Sequence, residues 1–374
     1  MTPRERLRTA LSHKEPDRVP VDLGGVVTGI TRVAYERLLE YLGVEKRKDE
    51  RVFDRIQQLV RPEEHILNLL HVDTRYVYMS APQEVRGREL LKGLWEDEWG
   101  VRRKRAAYYY DMVESPFSET SLDDLTKVTW PDPHLSARFE GLEEEVRRIY
   151  EKTDYPVIIN AIGSIFEFSW YLRGYENFMA DLLTNPRFSC VLMDKMLEFQ
   201  MALFEEVLER TGDYVDVVLC GDDIATQKGP TISPELYRKY VKPRQRKLYD
   251  MIKRRTNAKL FYHSCGSVSA FIPDLIEIGI DVLNPVQVSA EGMNTKRLKK
   301  EFGKEITFWG GIDTQRVLPY GSPGDVEGEV KRRLNDLAPG GGYVLGAVHN
   351  IQPDVPPENV VALFEAAQKH GCYS

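Results

Sequence analysis

Lys259-Leu260-Phe261-Tyr262-His263-Ser264-Cys265-Gly266 is the stretch on which the fold turns. A short run of apolar and aromatic residues reads as a buried strand, and it ends in a turn that carries an imidazole, a hydroxyl and a thiol. The same pattern recurs along the chain. Candidate strands fall at Arg18 to Leu23, Thr74 to Met79, Val157 to Ala161, Val215 to Leu219, Lys259 to Tyr262, Val282 to Leu283, Ile306 to Trp309 and Tyr343 to Leu345. Each is followed by a polar or glycine-rich turn and then by a stretch with helical periodicity, which is the signature of parallel βαβ units. Eight such units close a (β/α)8 TIM barrel, so the expected class is α/β.

The helices between the runs carry their own start signals. Ser233-Pro-Glu, Ser322-Pro and Pro356-Pro-Glu-Asn each place a proline at or next to the first helical turn, and in the first two a serine stands ready to cap it. Asn185-Pro186 separates helices expected over Leu172 to Leu183 and Phe188 to Arg210. From Gly87 to Arg105, Trp95, Trp99 and Val101 alternate with charged residues around Gly100, which predicts a β-hairpin inserted on the barrel. Further helices are expected at the N-terminus. No Gly/Ser-rich linker or repeat divides residues 1–374, so a single barrel domain is expected.

Composition narrows the partners. The net charge of −7, with both signs mixed along the helices, argues against a nucleic-acid partner, which needs a clustered basic face. The longest apolar runs, such as Tyr155 to Ile159, fall well short of the roughly 20 residues that span a bilayer. The charged opening Met1-Thr-Pro-Arg-Glu-Arg has no apolar core of a secretory leader, and Cys190, Cys220, Cys265 and Cys372 are too few and too far apart for a disulfide framework. A cytoplasmic protein with reduced thiols and a small-molecule substrate is the expectation.

The chemistry-bearing residues gather just past strand ends: Gly221-Asp222-Asp223, His263-Ser-Cys265-Gly266, Asn284-Pro-Val-Gln287, Gly310-Gly-Ile-Asp313-Thr-Gln315 and His349-Asn350-Ile-Gln352. In a β/α barrel that end is the catalytic face. His263 and Cys265 occupy alternate positions leaving a strand, so both side chains point the same way, and imidazole with thiolate suits zinc better than magnesium or calcium. His349 ends the last strand and completes a set of three, which leaves one coordination position open. Asp222 and Asp223 are candidate acids or bases, or orienting partners of the ligand imidazoles, although aspartate is also common as a plain turn cap. Gln287, Asp313, Gln315 and Asn350 are candidate substrate-positioning groups, against the simpler reading of loop hydrogen bonds.

From Thr2-Pro-Arg-Glu-Arg, through Glu15-Pro-Asp-Arg-Val-Pro-Val-Asp22, to His263-Ser-Cys-Gly and Pro356-Pro-Glu-Asn359, the chain resembles the uroporphyrinogen decarboxylase superfamily. Within it, the chain is similar to the cobalamin-linked methyltransferase branch, in which a His-x-Cys pair and a later cysteine bind zinc. His263 and Cys265 match the pair, and His349 falls where that branch usually has its third ligand, so the site departs by exchanging a thiolate for an imidazole. The resemblance implies methyl transfer between a corrinoid and either a thiol or a small methylated substrate. No Asp-x-His-x-x-Gly corrinoid motif occurs in the chain, so the corrinoid is expected on a separate protein. A homodimer is also implied.

The alternative is uroporphyrinogen decarboxylation in porphyrin biosynthesis. Members with that activity resemble this chain but carry a Met-Arg-Gln-Ala-Gly-Arg-like motif that grips substrate carboxylates. Here the corresponding stretch, Val19 to Gly29, contains no arginine, which removes the main bidentate partners of such a substrate. A third reading, a zinc-stabilised binding barrel, would bind metal and ligand without turnover.

Overall fold

A computed structural model describes residues 1–45, 52–80 and 87–373. Seven parallel strands run in chain order around one curled sheet: β1 (Arg75–Tyr78), β2 (Val157–Gly163), β3 (Val217–Gly221), β4 (Lys259–His263), β5 (Val282–Asn284), β6 (Thr307–Ile312) and β7 (Tyr343–Ala347). Helices join them, and the sheet curls as a TIM barrel does.

The first expected strand, Arg18 to Leu23, closes the ring without forming a regular ladder. Its backbone exchanges bonds with β7, Asp22 N–H to Leu345 O and Leu345 N–H to Pro20 O, both at 2.9 Å. On the other side Asp73 N–H donates to Val21 O at 2.8 Å, and the Asp73 carboxylate accepts from Val21 N–H at 2.9 Å. Pro20 has no N–H, so this segment cannot sustain a run of ladder bonds on both faces.

The barrel interior is packed by Tyr76, Ile158, Val217, Leu219, Phe261, Val282, Trp309 and Val344, with Leu7 and Leu11 of the first helix plugging one end. The larger cluster lies between the strands and the surrounding helices and includes residues from Val19 to Ala367. Helices start where the sequence marks them: Ser233 accepts from Leu236 N–H, Ser322 and Asp325 form a reciprocal capping box, and the last helix runs Pro357–His370. The helix expected over Leu172 to Leu183 is instead split at Gly174, whose φ of +87° ends Phe166–Arg173 and begins Tyr175–Thr184.

The expected hairpin is larger than its sequence pattern. Four antiparallel strands, Arg88–Leu91, Leu94–Glu96, Arg102–Ala106 and Tyr109–Glu114, form a meander. Its last strand carries Tyr109, Tyr110, Met112 and Val113 without strict alternation, and none of its residues is fully buried. Trp99, in the connection between the second and third strands, anchors the meander, with its ring 4.7 Å from Phe199 and 5.0 Å from Phe168. Near the other end, Tyr109 Oη hydrogen-bonds Gln352, in the loop after β7. The meander therefore lies along the barrel mouth where the carboxyl ends of the strands open. Among the described residues no helix is long and apolar enough to cross a membrane.

Candidate metal centre

β4 delivers His263 at its final residue, in register with Gly221 on β3 and Asn284 on β5. Gly221 is required there for space: a Cβ would stand 2.7 Å from the His263 carbonyl oxygen and 2.9 Å from its Cβ. The chain then turns through Ser264 and Cys265 to Gly266, at φ +87°, where any Cβ would meet the Thr226 carbonyl at 2.5 Å. Neighbouring loops pin this turn from both sides. Cys265 N–H donates to Asp223 Oδ1 at 2.7 Å, and Gly266 N–H donates to Gln287 Oε1 at 2.6 Å.

The turn brings Cys265 Sγ within 3.4 Å of His263 Nε2. On the far side of His263, Nδ1–H donates to Asn284 Oδ1 at 2.6 Å, while Asn284 Nδ2 donates to the Trp309 carbonyl at 3.2 Å and so holds the amide oxygen toward the ring. The His263 proton is thereby assigned to Nδ1, leaving the Nε2 lone pair facing Cys265. His349 completes the group: its ring centre lies 5.1 Å from that of His263, and the three residues offer ligand atoms all within 4.8 Å of one another. Its backbone is left-handed, φ +74°, a region uncommon for residues other than glycine but one that histidine enters more readily than most, as His13 and His71 also do here. His349 Nδ1 accepts from Asn350 N–H at 2.8 Å, which puts its own ring proton on Nε2. His263 and Cys265 are thus a preformed pair, whereas His349 joins a cation only by releasing that backbone bond or shifting its proton.

Burial keeps the metal-free group uncharged. It depresses the pKa of His349 to about 3, with His263 adding to the effect, and it lowers that of His263 as well. Burial also pushes the Cys265 thiol well above its ordinary value, reinforced by the Asp223 and Glu167 carboxylates. Two neutral imidazoles and a thiol that must deprotonate form a nitrogen and sulfur set, the composition that zinc prefers.

The two aspartates separate in role. Asp222 is 1% exposed, and its Oδ1 accepts from Ser164 Oγ, Ile165 N–H and Glu167 N–H at 2.8, 3.0 and 2.8 Å, while Oδ2 accepts from Gln245 Nε2 at 2.8 Å. It ties the start of helix Phe166–Arg173 to β3, and these four side-chain bonds all go to groups outside the triad. Asp223, only partly buried, lies beside Cys265 and opposite Glu167. Glu167, on the first turn after β2, accepts from Tyr171 Oη at 2.6 Å, and burial followed by Asp223 raises its pKa to about 8. Sequence reasoning did not single out Glu167, although it sits just beyond a strand's carboxyl end like the other loops.

Of the four residues expected to position substrate, Gln287 braces the metal turn, and Asp313 Oδ1 accepts from Gln315 and Arg316 N–H at 2.7 and 3.1 Å. Asn350 is 0% exposed and joins Gly29 N–H, the Val26 carbonyl and Gln57 Oε1. Gln315 is exposed, and its side chain has no hydrogen bond among the described residues.

Comparisons with known proteins identify relatives of the chain. The chain is 27% identical over 267 residues to a uroporphyrinogen decarboxylase from Trichlorobacter lovleyi, covering 69% of this chain and 74% of that one. It is 24% identical to the methylcobamide:CoM methyltransferase MtbA of Methanosarcina mazei, covering 68% and 70%. It is 28% identical to the methylcobamide:CoM methyltransferase MtaA of Methanosarcina barkeri, covering 62% and 64%. A solved methyltransferase from Methanosarcina mazei shares the fold with a TM-score of 0.68 at 20% identity, over 99% of both chains. The sequence profile of the Uroporphyrinogen decarboxylase (URO-D) family matches residues 111–370, which include β2 to β7, Glu167, Asp223 and all three candidate metal ligands. Over that span, the chain belongs to the uroporphyrinogen decarboxylase family of enzymes.

Proposed function

We propose that the protein is a zinc-dependent methyltransferase, moving a methyl group between a corrinoid carried by a separate protein and a thiol or small methylated substrate. The observation that carries the reading is the His263, Cys265 and His349 donor set at the barrel mouth. Two relatives named as methylcobamide:CoM methyltransferases support it. The donor set fits zinc by its chemistry, and three protein donors leave room for a substrate atom. Once bound, zinc would supply Lewis acidity that makes a sulfur or oxygen group easier to ionise. With one thiolate and two neutral imidazoles as donors, such a centre would keep a net positive charge that favours this.

The remaining work falls to side chains of this protein. Asn284 orients His263, and Asp223 with Gln287 holds the turn that presents Cys265. Glu167, whose pKa burial raises to about 8, holds its proton at neutrality and stands beside Asp223 as a group able to give that proton to a departing atom. Asp222 keeps Glu167 in place by holding the first N–H groups of its helix. Gln315 is the substrate contact that remains available. The methylated carbon itself would come from, or go to, the corrinoid.

The test is metal analysis beside activity. Wild-type protein is expected to hold about one zinc per chain, with affinity lost most in Cys265→Ala and His263→Ala and least in His349→Ala. Methyl transfer between methylcobalamin and a thiol, or between a methylated donor and reduced cobalamin, should exceed the Cys265→Ala background. Absence of stoichiometric metal, or coproporphyrinogen formation from uroporphyrinogen with no methyl transfer, would replace this reading with decarboxylation.

A further inference from the structure

Arg103, on the third strand of the meander, is 4% exposed, yet its guanidinium donates no hydrogen bond among the described residues. Its Nε is fully enclosed and unpartnered. A buried guanidinium with idle donors is costly, and native proteins normally satisfy such groups. The neighbouring acids Asp97 and Asp54 offset its charge without hydrogen-bonding its donors. Asp97 Oδ2 forms an ion pair with Arg103 Nη2 at 3.8 Å, beyond hydrogen-bond length, while Asp97 Oδ1 is engaged by Trp99 and Val101 N–H, and Asp54 Oδ1 accepts from Gln57 N–H.

The direction in which Arg103 points matters. Its guanidinium carbon lies 5.2 Å from the centre of the Tyr171 ring, and the hydroxyl of that tyrosine donates to Glu167, next to Asp223 and the Cys265 turn. The meander that carries it is fastened to the mouth at Tyr109 and Gln352. A planar fork of donors, near an aromatic ring at the edge of a reaction centre, matches a carboxylate better than any neutral group.

We propose that Arg103 is a specificity residue that binds the carboxylate of the substrate, while the opposite, reactive end of the same molecule reaches Cys265 and its neighbours. The identity of that reactive end rests on the methyl-transfer reading; the carboxylate contact does not. The assignment selects small acids over their neutral counterparts, and it makes the meander part of the substrate site.

The experiment measures dissociation constants of the purified full-length protein for two matched pairs: butanoate against 1-butanol, and 3-mercaptopropanoate against 3-mercapto-1-propanol. Wild type, Arg103→Lys and Arg103→Gln are compared. Each acid is expected to bind at least about tenfold tighter than its alcohol in wild type, and the preference should vanish in Arg103→Gln and survive in part in Arg103→Lys. Equal binding of acid and alcohol by wild type, or an unchanged preference in a folded Arg103→Gln, overturns the proposal. Should both variants unfold, protection of Arg103 in wild type decides: butanoate must slow its modification by phenylglyoxal, and an unaffected rate overturns the proposal. If butanoate shows the preference but the thiol group adds no affinity to zinc-loaded protein, the carboxylate site stands and the methyl-transfer reading falls.

Discussion

The Nδ1–H of His263 donates to Asn284 Oδ1 across 2.6 Å, linking the last residues of two adjacent strands. A ligand imidazole needs its other nitrogen held in this way, since the second bond sets both the tautomer and the plane of the ring. Asn284→Ala is therefore expected to weaken zinc binding by about 10- to 100-fold, and Asn284→Asp, which keeps an acceptor in place, to restore most of it. Competition against a chromophoric chelator measures this. Wild-type affinity in the alanine variant would show that His263 is oriented by something else.

Zinc binding should release about one proton per ion at pH 7. Burial, with Asp223 and Glu167 behind it, keeps the Cys265 thiol protonated, whereas His263 and His349 are already neutral, the latter with a pKa near 3. Only the thiol has a proton to give. Calorimetric titration in buffers of different ionisation enthalpy counts it, and affinity should rise about tenfold per pH unit near neutrality. Release of two or more protons would mean that an imidazole is charged in the metal-free protein.

Asp222 makes a pH-dependent contribution to stability. Burial raises its pKa to about 6, against the ordinary 3.8, despite its four donors. Below the unfolded value both states are protonated and nothing is lost. As pH rises toward 6 the unfolded chain ionises first, so stability falls across this window, by an amount on the order of 3 kcal/mol. Asp222→Asn cannot ionise. The stability difference between wild type and this variant should therefore shift toward the variant by about that amount between pH 4 and 7, as read by denaturant unfolding. A flat difference would mean that Asp222 is ionised throughout.

Much of the architecture was legible because its signals are local. Runs such as Leu260-Phe261-Tyr262 and Val217-Val218-Leu219 carry the strand pattern in themselves, and serine and proline mark helix starts within a single turn. The same locality explains where the reading differed. Arg18 to Leu23 has the composition of a strand, yet Pro20 limits its pairing, and a regular ladder depends on both neighbours. The meander extends to Glu114 because its last strand is recruited by Arg102–Ala106, a pairing that side-chain alternation alone does not announce.

The sequence by itself determined the alternation of strands and helices and the family resemblance, and it placed His263, Cys265 and His349 at strand ends, since a barrel always gathers those ends at one mouth. Only the tertiary structure decided what each polar group does there. It engaged Asp222 in four hydrogen bonds, set Glu167 against Asp223, and left Arg103 enclosed with idle donors. Those outcomes depend on which partners arrive from distant segments of the chain. A carboxylate saturated by donors and one facing a site are the same residue type in sequence, and burial with hydrogen-bond supply, both properties of the packed fold, tells them apart.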